Sequence, residues 1–397
     1  MWVFRTIIVT LIYIGINVFS GIRLFNFIKY FFPFSKALAF WPVYIFISYL
    51  FILVMLIRIK GVQPFPFTVR QAGMYSLPLY VYFFMALLLI EVLRLALQYF
   101  GCIPNSQVIS VAATGIALAL AVFSMVYGTL NAMHIRTAHY DISISKNFSG
   151  VKANGLRIAL VSDLHIGGAV SRKWVARIVD AVNRTEPDII VMAGDIFDNS
   201  VSAIRDPEGV VAELLRLRAP LGVFASGGNH DVDRLAWGEE ASTDGINNFL
   251  KRAGIIFLQD EYDLIKDSFY IVGRRDIRPI GLNHTRKTTD ELISDLDKSR
   301  LIIFLDHQPL DFPAMDEAGA DLILSGHTHK GQFFPGNFFT ERIFRKAGSV
   351  HYGYWKGRFA QGVITSGAGV WGPSIRIASN SEVVMVNLNG PGTGSLP

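Results

Sequence analysis

Apolar residues run almost without interruption through the first third of the chain, then break into short runs separated by amphipathic stretches. The long runs are Thr6–Ile22, Ala37–Ile57, Gln71–Ile90 and Gln107–Met133, and none holds a charged residue. A helix of roughly 20 apolar residues spans a hydrocarbon core. The pattern therefore predicts four membrane spans at 6–22, 37–57, 71–90 and 107–133, within a transmembrane region covering 1–136. Pro78 falls inside the third span, where neighbouring helices can satisfy the freed carbonyl. The first run lacks a clear small-x-small cleavage site, so it reads as a retained helix and not as a signal peptide.

From about Thr137 the periods change. "YDISISK" alternates, with Tyr140, Ile142 and Ile144 on one face of a half-buried strand. Short apolar runs then take turns with helical patterns: "LRIALVS", "DIIVMAG", "LGVFASG", "SFYIVG", "LIIFLD" and "DLILSG" against "SRKWVARIVDAVNR", "PEGVVAELLRLR", "DGINNFLKRAG" and "TTDELISDLDKS". Such alternation predicts βαβ units and a largely parallel sheet. Two more β-rich runs, near Gln361–Ser366 and Glu382–Leu388, close a domain over 137–390. The tail 391–397 is expected to be flexible.

Composition narrows the chemistry. The single cysteine, Cys102, excludes an intramolecular disulfide and a cysteine-based zinc site. The net charge of +5 comes from scattered basic residues without the patch that nucleic-acid binding requires, so no nucleic-acid partner is expected. Part of the excess flanks the spans. Arg5, Arg58, Lys60, Arg70, Arg136, Lys146 and Lys152 fall on one side of a four-span topology, and Arg23, Lys29, Lys36 and Arg94 on the other. That bias predicts a multi-pass protein of the cell membrane with its second domain in the cytoplasm.

Ligands of open α/β sheets gather beyond the carboxyl ends of the strands. Here those ends carry Asp163 and His165, Asp195 and Asp198, Asn229 and His230, His307, and finally His327 and His329. A lone histidine at a strand end is usually a satisfied core residue, and a lone aspartate a turn or cap. Five such ends in one domain point instead to a cluster. His134, His139, His284 and His351 stand apart from it and read as structural or solvated. Carboxylates mixed with imidazoles suit manganese, iron or zinc better than calcium. Asp195 can bridge two metals, because each carboxylate oxygen can bind a cation. Two carboxylates leave two divalent ions with net positive charge, which attracts a phosphate and acidifies water.

The ordered motifs "D-L-H", "G-D-x-x-D", "G-N-H-D", "H-Q-P" and "G-H-T-H" resemble those of the calcineurin-like metallophosphoesterases. The segment "YGYWKGRFAQGVITSGAGVWGPSIRI" resembles their YkuE-type membrane-associated branch. The resemblance covers about Tyr140 to Leu388. It implies a four-layer α/β/β/α sandwich and two divalent metal ions. One would be held by Asp163, His165, Asp195 and His329, the other by Asp195, Asn229, His307 and His327. His230 would lie over the metals and protonate the leaving oxygen, with Asp198 orienting it; Asp231 would only shape the turn. Gly194, Gly228 and Gly326 would allow tight strand-end turns. Gly273 and Asp276 resemble a weaker motif of the branch. Lys330 departs from a glycine common there and is expected to face solvent.

The expectation is a membrane-anchored phosphoesterase that hydrolyses phosphodiester or pyrophosphate bonds by metal-activated hydroxide. Its partners would be the bilayer and a phosphorylated small-molecule or lipid substrate. One alternative is a lipid-directed hydrolase, such as one cleaving a nucleotide-lipid of the UDP-diacylglucosamine kind. Another is a catalytically silent membrane receptor or scaffold.

Overall fold

The structure is a computed structural model that describes residues 2–59, 67–148, 155–198, 200–231, 243–277 and 286–391. The chain forms two compact units, Met1–Gly128 and Thr129–Pro397.

The first unit holds α1 (Trp2–Phe31), α2 (Ala37–Ile59), α3 (Phe67–Tyr99) and most of α4 (Gln107–Met133). All four are long and apolar enough to cross a membrane, over Leu11–Phe31, Ala37–Val54, Thr68–Tyr99 and Gln107–Met133. Large apolar side chains such as Val43, Leu89 and Phe123 point outward. The first and third spans run well past their predicted ends, to Phe31 and Tyr99. Arg23 and Glu91 read as boundaries at 22 and 90, yet α1 and α3 continue through them. The reason is a charge cluster: Glu91 Oε2 lies 2.5 Å from Arg23 Nη2 and 2.8 Å from Arg94 Nη2. Paired charges can lie within apolar helices where single ones are costly. Pro78 lies inside α3, as expected.

The second unit begins before residue 136, the boundary expected from sequence. Asn131, in the last turn of α4, donates to the carbonyls of Arg376 and Ser379 at 3.0 and 2.9 Å. The turn therefore belongs to this unit. Its elements run β1 (Ile135–Ser143), β2 (Leu156–Val161), α5 (Arg172–Arg184), β3 (Ile189–Ala193), α6 (Pro207–Leu214), β4 (Val223–Ser226), α7 (Asp244–Arg252), β5 (Ile256–Leu258), β6 (Glu261–Ile265) and β7 (Phe269–Gly273). After these come α8 (Thr289–Ile293), β8 (Leu301–Leu305), α9 (Phe312–Ala318), β9 (Leu322–Ser325), α10 (Gly336–Lys346), β10 (Gly353–Lys356), β11 (Gln361–Ile364) and β12 (Ser381–Asn389).

Two six-stranded sheets result, in the orders β1-β12-β2-β3-β4-β5 and β10-β11-β9-β8-β7-β6. Side chains alternate across a strand, and here each face meets a different core. Ile158, Leu160, Ile189 and Val191 pack against Ile271, Ile303, Leu305 and Leu324 of the other sheet. Ala159, Val161, Ile190 and Met192 face Val175, Ile178 and Val182 of α5 and Phe249 of α7. On the far side, Val272, Ile302 and Phe304 meet Leu292 of α8 and Met315 of α9. Burial on both faces explains the unbroken apolar strand runs. The layers are helix, sheet, sheet, helix, as the resemblance implied.

The sheets are mixed, not simply parallel. β2 to β5 are mutually parallel, as are β7, β8, β9 and β11. Antiparallel partners flank them: β12 beside β2, β6 beside β7 and β10 beside β11. The closing runs near 361 and 382 are β11 and β12. The tail beyond Pro391 lies outside the described residues.

Candidate metal centre

The parallel strands of both sheets deliver their carboxyl ends to one place. β2 runs into Asp163 and His165, β3 into Asp195, β4 into Asn229 and His230, β8 into His307, and β9 into His327 and His329. The chain turns sharply there. Asp163, His165, Asp195, His327 and His329 all have positive φ, between 47 and 70°. Such left-handed backbone is costly for residues with a side chain and clusters at functional sites. Close approach demands glycine at two neighbouring points. A Cβ on Gly326 would collide with Ser162 and Asp163, and one on Gly228 with Asp195.

Two donor sets emerge. In the first, His165 Nε2 and His329 Nε2 are 3.1 Å apart, and Asp163 Oδ1 lies 3.3 Å from His329 Nε2. In the second, His307 Nε2 and His327 Nδ1 are 3.2 Å apart. Asp195 Oδ2 lies 3.1 Å from His307 Nε2 and 3.7 Å from His165 Nε2, so one oxygen faces both sets. Its other oxygen, Oδ1, accepts from the His230 main-chain N–H at 2.8 Å. This refines the sequence argument, which gave one oxygen to each metal.

The surroundings orient these donors. His307 Nδ1–H donates to the Ala193 carbonyl at 2.8 Å, which leaves Nε2 free to face Asp195. The His327 N–H donates to both oxygens of Asp163, at 3.1 and 2.9 Å. Ser162 Oγ donates to the Ala193 carbonyl at 2.7 Å and lies 2.8 Å from Asp163 Oδ2. Burial alone would raise the Asp195 carboxyl, but the imidazoles of His307, His230 and His165 hold it well below the carboxylate range. Burial likewise opposes charge on His307, and Asp195 overrides it, raising that imidazole well above its ordinary value. His327 is pushed down to about 3, by burial and then by His307.

The donors fit a pair of metal ions. Asn229 Oδ1 is buried and has no hydrogen-bond partner among the described residues, an expensive position for a carboxamide oxygen. Facing imidazole nitrogens beside carboxylates are what a cation would reconcile. Donor atoms of Asp163, His165 and His329, and of Asp195, His307 and His327, lie within 4.8 Å of one another in each group. The same holds for His165, Asp195 and His230, which brings His230 close to the donors.

Several expectations change in detail. Asp198 does contact His230, but through its carbonyl, which lies 2.9 Å from His230 Nδ1. Its carboxylate Oδ1 lies 3.6 Å from His165 Nδ1. Asp231 is the turn-shaper: it accepts from the N–H groups of Gly228, Phe197 and Ile196 at 2.9, 2.8 and 3.2 Å. Burial, then Asp195, pushes its carboxyl up to about 7. Asp276 accepts from Gln308 Nε2 at 2.8 and 3.0 Å, tying the "VGRRD" and "HQP" segments together. Lys330 does not simply face solvent; its Nζ sits 4.1 Å from the centre of the Tyr352 ring, a cation–π contact, and its φ is 51°. That left-handed φ accounts for the glycine common at this point. His134 and His139 are exposed, and His351 is half-buried. His284 lies outside the described residues.

Arg376 was not foreseen. It is fully buried. Its Nη2 donates to the carbonyls of Ser366 and Gly369, both at 2.7 Å, and lies 3.3 Å from His329 Nδ1. Its only trace in the sequence is a charge within the apolar run "SIRIA".

Comparison with known proteins agrees with this geometry. The calcineurin-like phosphoesterase family matches residues 156–331. A protein of Aquifex aeolicus described as an uncharacterized metallophosphoesterase is 31% identical over 277 residues, covering 69% of this chain and 99% of its own length. A Campylobacter jejuni metallophosphoesterase is 29% identical, with 69% and 68% covered. The zebrafish "transmembrane protein with metallophosphoesterase domain" is 30% identical, with 69% and 62% covered. The chain thus spans about two-thirds of the length of the last two. The match is to the family as a whole and singles out no branch. With its strand-end donors and this kinship, the chain belongs to the calcineurin-like metallophosphoesterases and is a metal-dependent phosphoesterase.

Proposed function

We propose that the chain is a membrane-anchored phosphoesterase that uses two divalent ions to hydrolyse phosphodiester or pyrophosphate bonds. The observation that carries this reading is Asp195 Oδ2, placed between two sets of donors. Asp163, His165, Asp195 and His329 would hold one ion; Asp195, Asn229, His307 and His327 the other. When bound, such a pair would supply an acidified water and positive charge that stabilises the phosphoryl group. His230 supplies the proton. With Nδ1–H engaged by the Asp198 carbonyl, Nε2 is the atom that takes up a proton and delivers it to the leaving oxygen. Trp371, whose ring centre is 6.4 Å from that of His230, walls this side. The diester and pyrophosphate preference rests on family analogy. A complete donor set argues against a silent receptor.

The test is hydrolysis by the detergent-purified full chain, supplied with Mn²⁺, of a phosphodiester, a nucleotide pyrophosphate, a lipid phosphate and a monoester. Turnover of a diester or pyrophosphate that EDTA abolishes is the expected result. Turnover of the monoester alone, or none with metal bound, would overturn the assignment.

The four apolar helices and the Lys/Arg asymmetry support a cytoplasmic phosphoesterase domain, the unit that starts at Thr129, behind a transmembrane region. A reporter fused after Pro397 should then behave as cytoplasmic. Activity there of a reporter that works only outside the cytoplasm would reverse the placement.

A further inference from the structure

Helix α10 buries almost nothing on one side. Phe338, Phe339 and Ile343 are 59, 66 and 57% exposed. At 3.6 residues per turn these three share a face with Arg342 and Lys346, both exposed. The helix carries three cations, Arg342, Arg345 and Lys346, against one carboxylate, Glu341, which pairs with Arg345. Its opposite side is anchored: Phe344 is buried, and its ring centre lies 6.1 Å from that of His327. A water-facing helix would carry polar residues where this one carries two phenylalanines and an isoleucine.

We propose that the outer face of α10 docks on an anionic lipid surface. Bulky apolar residues beside basic ones on a single helix face are the pattern of helices that lie in the headgroup region. Basic residues there add attraction to anionic lipids. The same chain carries four helices apolar enough to cross a bilayer, so a lipid surface is the partner always at hand. A helix with its side chains is about 10–12 Å thick. Headgroups touching the outer face of α10 would therefore lie roughly one helix diameter from His327. The surface would present lipid-borne phosphoesters beside the donor cluster.

The docking is tested by its own signal, independent of hydrolysis. Full-length protein carrying Cys102→Ala and Phe339→Cys is labelled with an environment-sensitive dye. It is reconstituted in nanodiscs of zwitterionic lipid, with and without anionic lipid. Lipids bearing a nitroxide near the headgroup should quench the dye, and anionic lipid should increase the quenching and shift emission to the blue. Ile343→Cys repeats the measurement on the same face. Asp290→Cys, exposed on α8, is the control and should stay unquenched. Quenching at 339 and 343 no greater than at 290, in both lipid mixtures, would overturn the proposal. So would a blue shift that follows protein concentration and not lipid composition, since that assigns the face to a second copy.

Discussion

His230→Ala should keep its metals and its fold while losing most of its turnover. A general acid–base group contributes typically ~10²–10⁴-fold, felt mainly in the transition state, so kcat should fall far more than KM rises. The structure explains why metal binding should survive. What residue 230 gives to Asp195 is its main-chain N–H, at 2.8 Å, and alanine retains it. The deficit should shrink for a nitrophenyl diester, whose leaving group hardly needs a proton, and be full for an alkyl diester. Near-normal turnover of the alkyl ester would remove His230 from the mechanism. Loss of metal together with activity would make His230 a ligand, a role its closeness to His165 and Asp195 permits. Asp198→Asn offers the contrast. The contact that orients His230 comes from the Asp198 carbonyl, which the substitution preserves. Its effect should appear instead at His165, whose Nδ1 faces the carboxylate. Weakened metal binding is expected, of the ~10–100-fold that loss of such a supporting group typically costs.

The candidate site was legible because buried parallel strands end in residues that burial alone does not call for. Asp163, Asp195, His307 and His327 each follow a run of apolar residues, and the structure brings their side chains together. Asn229 follows one too, and its Oδ1 is buried without a hydrogen-bond partner among the described residues. What escaped was carried by groups that leave little trace in residue type. The hold of Asp198 on His230 is made by a main-chain carbonyl. Which oxygen of Asp195 faces the imidazoles depends on where the His230 N–H lies. Strand direction at the sheet margins was also hidden, since a strand's own alternation is the same whether its neighbour runs with it or against it. Helix α10 was missed for the opposite reason: its apolar residues point outward, so their spacing does not record a core-facing stripe. The span ends at Arg23 and Glu91 were misplaced because pairing between distant residues made both charges tolerable inside helices. Arg376 stayed invisible because a single arginine is ordinarily exposed.

Purified wild-type protein supplied with metal should approach two equivalents per chain, and Asp195→Asn should lose tight binding at both sites. The reasoning begins with Oδ2, which faces His307 Nε2 at 3.1 Å and His165 Nε2 at 3.7 Å, while Oδ1 accepts the His230 N–H. An asparagine has one oxygen for these two duties. If that oxygen keeps the His230 hydrogen bond, an NH₂ group faces both donor sets and repels cations. If the amide flips, two N–H groups confront each other and the strand-end turn loses a bond. In either arrangement the negative charge is gone. Of the two carboxylates in the donor sets, burial raises Asp163, whereas His307, His230 and His165 hold Asp195 well below the usual carboxylate range. Losing the Asp195 charge should weaken both ions, and turnover should fall with them. Asn229→Ala is the companion variant. It removes one neutral donor from one set only, and should leave one equivalent tightly bound. Metal content and kcat measured together on the three proteins decide the matter. Two tightly held equivalents in Asp195→Asn would remove the bridge, and one equivalent in the wild type would remove the second site.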